Sequence, residues 1–415
     1  MISVVSVISE LKLGGGENRL LNFARAIDRS RFQHTVATVF SPNPRESLHC
    51  GSLRRSFEEA DIDFVDLAVP HPGAAQLGGI AKVAATAKAL ATAVARLRRL
   101  FIARRADVVD AHLETALYTA VPAAASAGVP AAITLYSELD LWKLSDGGSW
   151  RGIVFPPFRR FNLRLCSALI SDSGARAADF QRYLGGVTPQ LHVIPNGVQL
   201  QPPARSREEI LAWFGIPHRG GATIIGQVAG LVPYKGQHLL VEAAQRLVAF
   251  GHDVRVLLVG DERLGPAYPQ ELRVLAERLG IADRLHIRSW PGNIADAWSI
   301  IDIHVHASSV DSLPNAVLEG MSLGKPAVVS AIGAVPEHVD HERTGLVVPP
   351  EDVPALAAAL RRLLDDPAFA ARLGAGARAR YLERFTPART ARQMERCLAG
   401  IARRRTEPAL AGVAP

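Results

Sequence analysis

Short apolar runs alternate with longer amphipathic segments along almost the whole chain. In the first half ISVVSVIS (2–9), HTVATVF (34–40), FVDLAV (64–69), DVVDAHL (107–113), AAITLY (131–136), ALISDS (168–173) and LHVIP (191–195) read as strands. In the second half TIIGQVAG (223–230), RVLLVG (255–260), LHIRSW (285–290), DIHVHAS (302–308), PAVVS (326–330) and GLVVP (345–349) read the same way. Helical patterns such as GQHLLVEAAQRLVAFG (236–251) and YPQELRVLAERLG (268–280) lie between them. Strands that are apolar at nearly every position are buried on both faces, so each half is expected to be a doubly wound α/β domain with a parallel sheet. The polar stretch NGVQLQPPARSREE (196–209) separates the two series and reads as the interdomain linker.

The opening run carries no basic leader and no small-residue cleavage site, so it reads as a first core strand and not a signal peptide. The uncharged stretch Thr115 to Ser137 is interrupted by Pro122, Gly128 and Pro130. It reads as a buried helix and a strand, not a membrane span. With 48% hydrophobic and 21% charged residues over 415 positions, the chain is an ordinary globular one, long enough for two cores. Cys50, Cys166 and Cys397 are too scattered for a disulfide framework or a zinc cluster, which points to a reduced, cytoplasmic compartment.

The net charge of +7 is unevenly spread. Between Leu67 and Ala106 there is no acidic residue, whereas Lys82, Lys88, Arg96, Arg98, Arg99, Arg104 and Arg105 are basic. Val83, Ala87, Leu90, Val94, Leu97 and Phe101 recur at helical spacing, so the segment is a helix with its arginines outward. A solvated face is the simpler reading, and an anionic membrane surface is the alternative. No Trp or Tyr interleaves the basic residues, which argues against nucleic acid.

In open α/β sheets ligands sit beyond the carboxyl ends of the strands, and two facing domains put those loops on opposite walls of one cleft. After the first strand come Gly14, Gly15, Gly16 and Glu17, where backbone N–H groups can approach an anion; a plain tight turn is an equal reading. The dinucleotide pattern GxGxxG is not met, because Arg19 stands at its third glycine, which disfavours a nicotinamide-dependent oxidoreductase. In LVPYKGQHLL, Lys235 falls between a strand and a helix, where an ammonium can neutralise a phosphate. In DSLPNAVLEGMSLGKPAVVS, Ser312 suits an N-cap and Pro314 a first turn. Asp311 and Glu319, eight apart, then fall near one helix face. A carboxylate there can accept from two ribose hydroxyls.

Taken together, LVPYKG, DSLPNAVLEGMSLGKP, GAVPEHVDHERTGLVVPPED, GGGENRLL, VVDAHL and VIPNGV resemble the retaining glycosyltransferases of the family 4 type (group 1). The resemblance runs from the first strand to about residue 400. It implies the GT-B fold, two facing Rossmann-like domains: an acceptor domain over 1–200, a nucleotide-sugar domain over 201–385, and a last helix within 386–415 crossing back. It implies that Glu319 binds ribose, Asp311 lies against the donor sugar, and Lys235 faces the diphosphate together with Ser312, Leu313, Pro314 and Asn315. Residues 289–294 match the segment lining the base, His112 a histidine near the reacting centre, and Gly15 and Gly16 a loop closing over the donor. The co-substrate is then a UDP- or GDP-type nucleotide sugar with no cofactor or metal. The acceptor is a glycan or lipid-linked hydroxyl, reached in the cytoplasm or peripherally at the inner membrane face.

Two departures stand out. Gly230 replaces the usual arginine of the phosphate site, and Asp311 replaces a glutamate. They keep a second reading open, a catalytically silent sugar-nucleotide-binding subunit. His304 and His306, two apart on one strand, and the Asp61–Asp63 pair resemble metal ligands in type, but a core strand and a solvated turn explain them more simply.

Overall fold

The structure, a computed structural model, describes residues 1–12, 14–41, 53–71, 79–135, 151–185, 189–217, 221–262, 267–311 and 313–406. The chain forms two compact units. One contains residues 1–196 and the C-terminal segment from Pro387; the other is Gly197–Thr386.

In the first unit the strands are β1 (Ile2–Ile8), β2 (Phe32–Phe40), β3 (Asp63–Val69), β4 (Val108–His112), β5 (Ala131–Thr134), β6 (Ala168–Ser171) and β7 (Gln190–Val193). All pair in parallel, in the order 3-2-1-4-5-6-7. Both faces are covered, which is why the strands read as unbroken apolar runs. Val5 and Val7 join one core with Leu97, Phe101 and Leu117, whereas Val4 and Ile8 join the other with Leu20, Phe23 and the last helix, Pro387–Thr406. That helix contributes Ala391, Met394, Leu398 and Ile401 to the first unit's core.

In the second unit the strands are β8 (Thr223–Val228), β9 (Val254–Val259), β10 (Leu285–Arg288), β11 (Ile303–His306), β12 (Ala327–Ser330) and β13 (Leu346–Val348). Their order is 10-9-8-11-12-13, again parallel. Every strand expected from the pattern is found, and both sheets are Rossmann-like. Each sheet reverses direction of growth once, between β1 and β4 and between β8 and β11. In open parallel sheets, the loops leaving the strands at such a reversal are where ligands bind.

Three local expectations need correction. The basic segment is a helix, Gly79–Ala103, but its buried stripe is Ala89, Ala93, Leu97 and Phe101, while Val83 and Ala87 are exposed. Alanines on both sides of the helix left its phase undecided. Residues 197–205 are no free linker: the Asp296 carboxylate accepts from the N–H groups of Ala204 (2.6 Å) and Arg205 (3.2 Å), and Asn293 Nδ2 donates to Pro202 O (2.7 Å). The helix Arg207–Phe214 follows at once, started by a reciprocal Ser206–Glu209 capping box. The third correction concerns the helix after β11, which begins at Asn315 with Pro314 as its N-cap; Ser312 lies outside the described residues.

Thr115 to Ser137 contains the rest of helix Leu113–Ser126, with Pro122 inside it, and then β5. Among the described residues no helix is long and apolar enough to cross a membrane. Cys166 and Cys397 are buried free thiols, and Cys50 lies outside the described residues.

Candidate active site

At the switch point of the second unit the chain leaves β8, passes Gly230 and makes a single 3-10 turn, Pro233–Lys235. Gly236 then takes a left-handed conformation (φ 71°), and a Cβ there would stand 2.1 Å from the Ala307 carbonyl oxygen. Only glycine permits that turn and that approach. The Lys235 carbonyl accepts from Gln227 Nε2 (2.6 Å), and the Tyr234 carbonyl accepts from the Ser309 N–H (2.9 Å). The loops after β8 and β11 are thus stitched together before any ligand arrives.

On this frame the Lys235 ammonium donates to Asp311 Oδ2, and His306 Nε2 lies 3.3 Å from the same oxygen. Burial would raise the Asp311 carboxyl, but His306 and the Lys235 charge outweigh it and hold the group well below the usual carboxylate range. Glu319 sits in the second turn of helix Asn315–Ser322, where Oε2 accepts from Trp298 Nε1 (3.0 Å). Burial raises its pKa, and the indole bond offsets part of that rise. Trp298 is fully buried and meets His304 edge-on, 4.9 Å between centroids. Burial depresses His304 to about 3, so that ring is neutral.

The structure therefore brings Lys235 and Asp311 together, which spacing alone did not show. It does not put Asp311 on the helix with Glu319: Asp311 lies before the helix start and is held by the β8 turn and β11. Leu313 and Pro314 are buried, so they can offer only backbone to a ligand, whereas Asn315 opens the helix. Pro314 supplies no side-chain cap, and the Val317 N–H donates to the Pro314 carbonyl (3.0 Å). In residues 289–294, Trp290 donates to Asn293 O (2.8 Å) and stacks on Phe214 (5.8 Å). His304 and His306 share a side of β11 but serve different partners. Among the described residues no three His, Cys, Asp or Glu side chains gather for a metal.

At the switch point of the first unit, Gly15 and Gly16 form the first turn of helix Gly15–Ala26, whose N-cap, Gly14, makes no side-chain bond. The Glu17 carboxylate folds back so closely that a Cβ on Gly14 would lie 2.3 Å from it. Burial raises the Glu17 pKa, while its own backbone N–H, Lys12 and His112 pull it down. His112 ends β4, is 1% exposed and has its Nε2 2.7 Å from Asp110 Oδ2. The same carboxylate oxygen accepts from Ser6 Oγ (2.9 Å), and Ser6 Oγ lies 2.8 Å from His34 Nε2. Burial lowers His34 to about 4. In Asp110 the burial penalty is outweighed, first by the His112 charge, so its carboxyl stays below the ordinary range.

Asp61 and Asp63 do not converge. Asp61 lies 3.9 Å from Arg29, whereas Asp63 accepts from Thr35 Oγ1 (2.7 Å) and pairs with Arg104 (2.8 Å). Ser6, His34, Asp110 and Trp298 escaped the sequence reading. A signal did exist for two of them, because Ser6 and Asp110 are polar breaks in apolar strands and lie opposite one another in register.

Residues 213–380 match the family described as Glycosyl transferases group 1, and residues 14–197 match the Glycosyl transferase 4-like domain. The alpha-maltose-1-phosphate synthase of Mycobacterium tuberculosis is 30% identical over 80% of this chain and 88% of its own length. The 2-deoxystreptamine glucosyltransferase of Streptomyces kanamyceticus is 26% identical over 84% of this chain and 89% of its own. Among solved structures, Anabaena HepE in complex with UDP and glucose superposes with a TM-score of 0.73 at 22% identity, covering 96% of this chain and 100% of that one. Two parallel Rossmann-like sheets, a Lys235–Asp311 pair at the second switch point and matches across both units lead to one assignment: the chain belongs to the group 1, family 4-type glycosyltransferases of GT-B fold.

Proposed function

We propose that this glycosyltransferase moves a sugar from a UDP- or GDP-type donor to a hydroxyl of a glycan or lipid-linked acceptor, with retention of anomeric configuration, in glycan, polysaccharide or glycolipid biosynthesis. The second unit holds the donor and the first the acceptor. One observation carries this reading: Lys235, the start of helix Asn315–Ser322 and the Glu319 carboxylate belong to the elements around one switch point. A diphosphate matches the ammonium and the positive end of the helix dipole, and a ribose matches the carboxylate. Support for the donor class comes also from the UDP bound in the Anabaena neighbour.

As the donor bond breaks, negative charge grows on the β-phosphate, where Lys235 and the helix start stabilise it. The departing phosphate takes the acceptor proton on the same face, so no protein nucleophile is required. Asp311 borders the donor sugar, and His112 with the Gly15–Gly16 turn borders the reacting centre. Lys235 is shared between Asp311 and the phosphate. The ammonium and helix start take the place of a divalent cation, so transfer is expected to persist in EDTA; loss in chelator with recovery by Mg²⁺ or Mn²⁺ would contradict this. The enzyme works in the cytoplasm, peripherally at the inner membrane face through helix Gly79–Ala103.

Calorimetry of UDP and GDP binding tests the site. Lys235→Ala and Glu319→Ala are each expected to weaken binding roughly ten-fold or more, the value of one charged hydrogen bond. Unchanged affinity in both would remove the assignment. Binding without turnover of any nucleotide sugar would favour the silent subunit, a reading that Lys235's existing engagement with Asp311 keeps in play.

A further inference from the structure

Four helices cover one face of the first sheet: Leu97, Leu117, Leu163 and Phe180, from helices Gly79–Ala103, Leu113–Ser126, Arg151–Leu165 and Gly174–Leu184, all join the core that holds Val5 and Val7. A helix packed on a sheet is expected to turn apolar residues inward and polar ones outward. In helix Arg151–Leu165 that division fails. Arg159 and Asn162 are buried, whereas Phe158, Phe161 and Leu165 stand 44%, 58% and 37% exposed. Steps of three and four positions put these three on one stripe of the outer surface, and Arg160 and Arg164, also exposed, run along its edge. The inward polar groups are paired, Arg159 with Glu114 (2.8 Å) and Asn162 Nδ2 with Phe158 O (2.9 Å), so the phase of the helix is fixed. The outer groups are held ready as well. The Phe158 ring stacks on Tyr118 (5.4 Å between centroids, 5° between planes), and the Arg160 guanidinium lies over the Tyr183 ring (4.8 Å).

Charge selects the occupant of this stripe. No acidic residue occurs between Gly147 and Ser171. The carboxylates carried by the four helices, Glu114 and Asp179, are engaged by Arg159 and Arg182, and among the described residues no carboxylate pairs with Arg160 or Arg164. An apolar stripe bordered by such cations matches a partner that offers hydrocarbon and negative charge side by side, which is the headgroup boundary of an anionic bilayer. A second copy of this chain brings the same basic face and a net charge of +7, so self-association there works against repulsion. Helix Gly79–Ala103, on the same side of the sheet, adds Lys82, Lys88 and Arg99 at exposed positions.

We propose that helix Arg151–Leu165 is a membrane-docking element: Phe158, Phe161 and Leu165 enter the boundary between headgroups and acyl chains of an anionic bilayer, and Arg160 and Arg164 hold lipid phosphates. The assignment rests on the reading that the enzyme works at a membrane face, and it adds an apolar contact to the electrostatic one given to helix Gly79–Ala103. An apolar contact keeps its strength in salt, whereas the cations lose theirs.

Co-sedimentation of the full-length protein with phosphatidylcholine vesicles, with and without phosphatidylserine, at low and high salt tests this. The wild type is expected to bind the vesicles that contain phosphatidylserine. Phe161→Gln with Leu165→Gln should weaken that binding about 30-fold at either salt, and Arg160→Gln with Arg164→Gln about 30-fold at low salt and far less at high salt. Phe161→Trp should gain quenching by bromine-labelled acyl chains, a readout that needs no loss of binding. Wild-type binding undiminished by Phe161→Gln with Leu165→Gln, or no added quenching in Phe161→Trp, overturns the proposal and leaves helix Gly79–Ala103 as the contact. Absence of wild-type binding to every vesicle removes the membrane location together with the proposal. A dimer in sedimentation velocity that Phe161→Gln with Leu165→Gln dissociates, without vesicle binding, would assign the stripe to a second copy instead.

Discussion

Lys235 and Asp311 neutralise one another in a partly buried position, and their contact organises the site before a donor arrives. A phosphate therefore meets a cation whose direction is already set, which lowers the ordering cost of binding. Behind it, His304 is a buried neutral imidazole with no hydrogen-bond partner for either ring nitrogen among the described residues. Its pKa falls from 6.5 in the unfolded chain to about 3 in the fold, so below pH 6.5 the unfolded state takes up the proton first. The stabilising difference is complete above pH 6.5 and is lost progressively as pH falls towards the folded value. Between pH 6.5 and about 5 this one residue should remove about 2 kcal/mol. Urea unfolding across that range checks it: His304→Gln should flatten the slope, whatever its effect on stability at pH 7, and an equal slope in both proteins would contradict the assignment.

Among the elements, helix Gly79–Ala103 shows how structure narrows a charge argument. Arg96 is bound to the Leu67 and Ala68 carbonyls (2.5 and 3.2 Å), Arg98 to Ser126 O (3.4 Å), and Arg104 to Asp63. These arginines brace the domain. Lys82, Lys88 and Arg99 point from exposed positions, the first two on turns whose Val83 and Ala87 are also exposed. If the helix meets an anionic surface, each contributes about 1 kcal/mol, so Lys82, Lys88 and Arg99 all changed to Gln should cut binding to phosphatidylserine vesicles about 100-fold at low salt. Co-sedimentation is the measurement; equal recovery in the soluble fraction for wild type with and without anionic lipid would leave a solvated face. The strands were legible because two-sided burial writes itself as an apolar run. The phase of this helix was not, because alanine is at home on either side. In the candidate site, the turn that carries Lys235 and the helix that carries Glu319 were legible from local sequence, whereas partners that meet across long separations, as Ser6 and Asp110 do 104 residues apart, were not.

At the scale of the molecule, the first unit is assembled from both ends of the chain. Its core includes Ala391, Met394, Leu398 and Ile401, each fully or nearly fully buried. At roughly 1.5–3 kcal/mol for each large apolar side chain, loss of Met394, Leu398 and Ile401 alone is comparable to the whole stability of an ordinary domain. A chain ending at Thr386 should therefore lose the first unit's melting transition in calorimetry and keep the second's; two intact transitions would show the helix to be dispensable. The second unit, by contrast, is one uninterrupted stretch whose two ends meet. The Val198 N–H donates to Phe385 O (3.1 Å), the Tyr381 hydroxyl donates to Val198 O (2.7 Å), and in the first unit Thr390 Oγ1 donates to Pro195 O (3.0 Å). Such a unit behaves as a cassette: recombination at two adjacent junctions exchanges a whole sheet, with every strand still paired to its own neighbours. What that unit binds can change by replacing one continuous piece of gene, while the sheet that carries His112 keeps its hydrogen bonds.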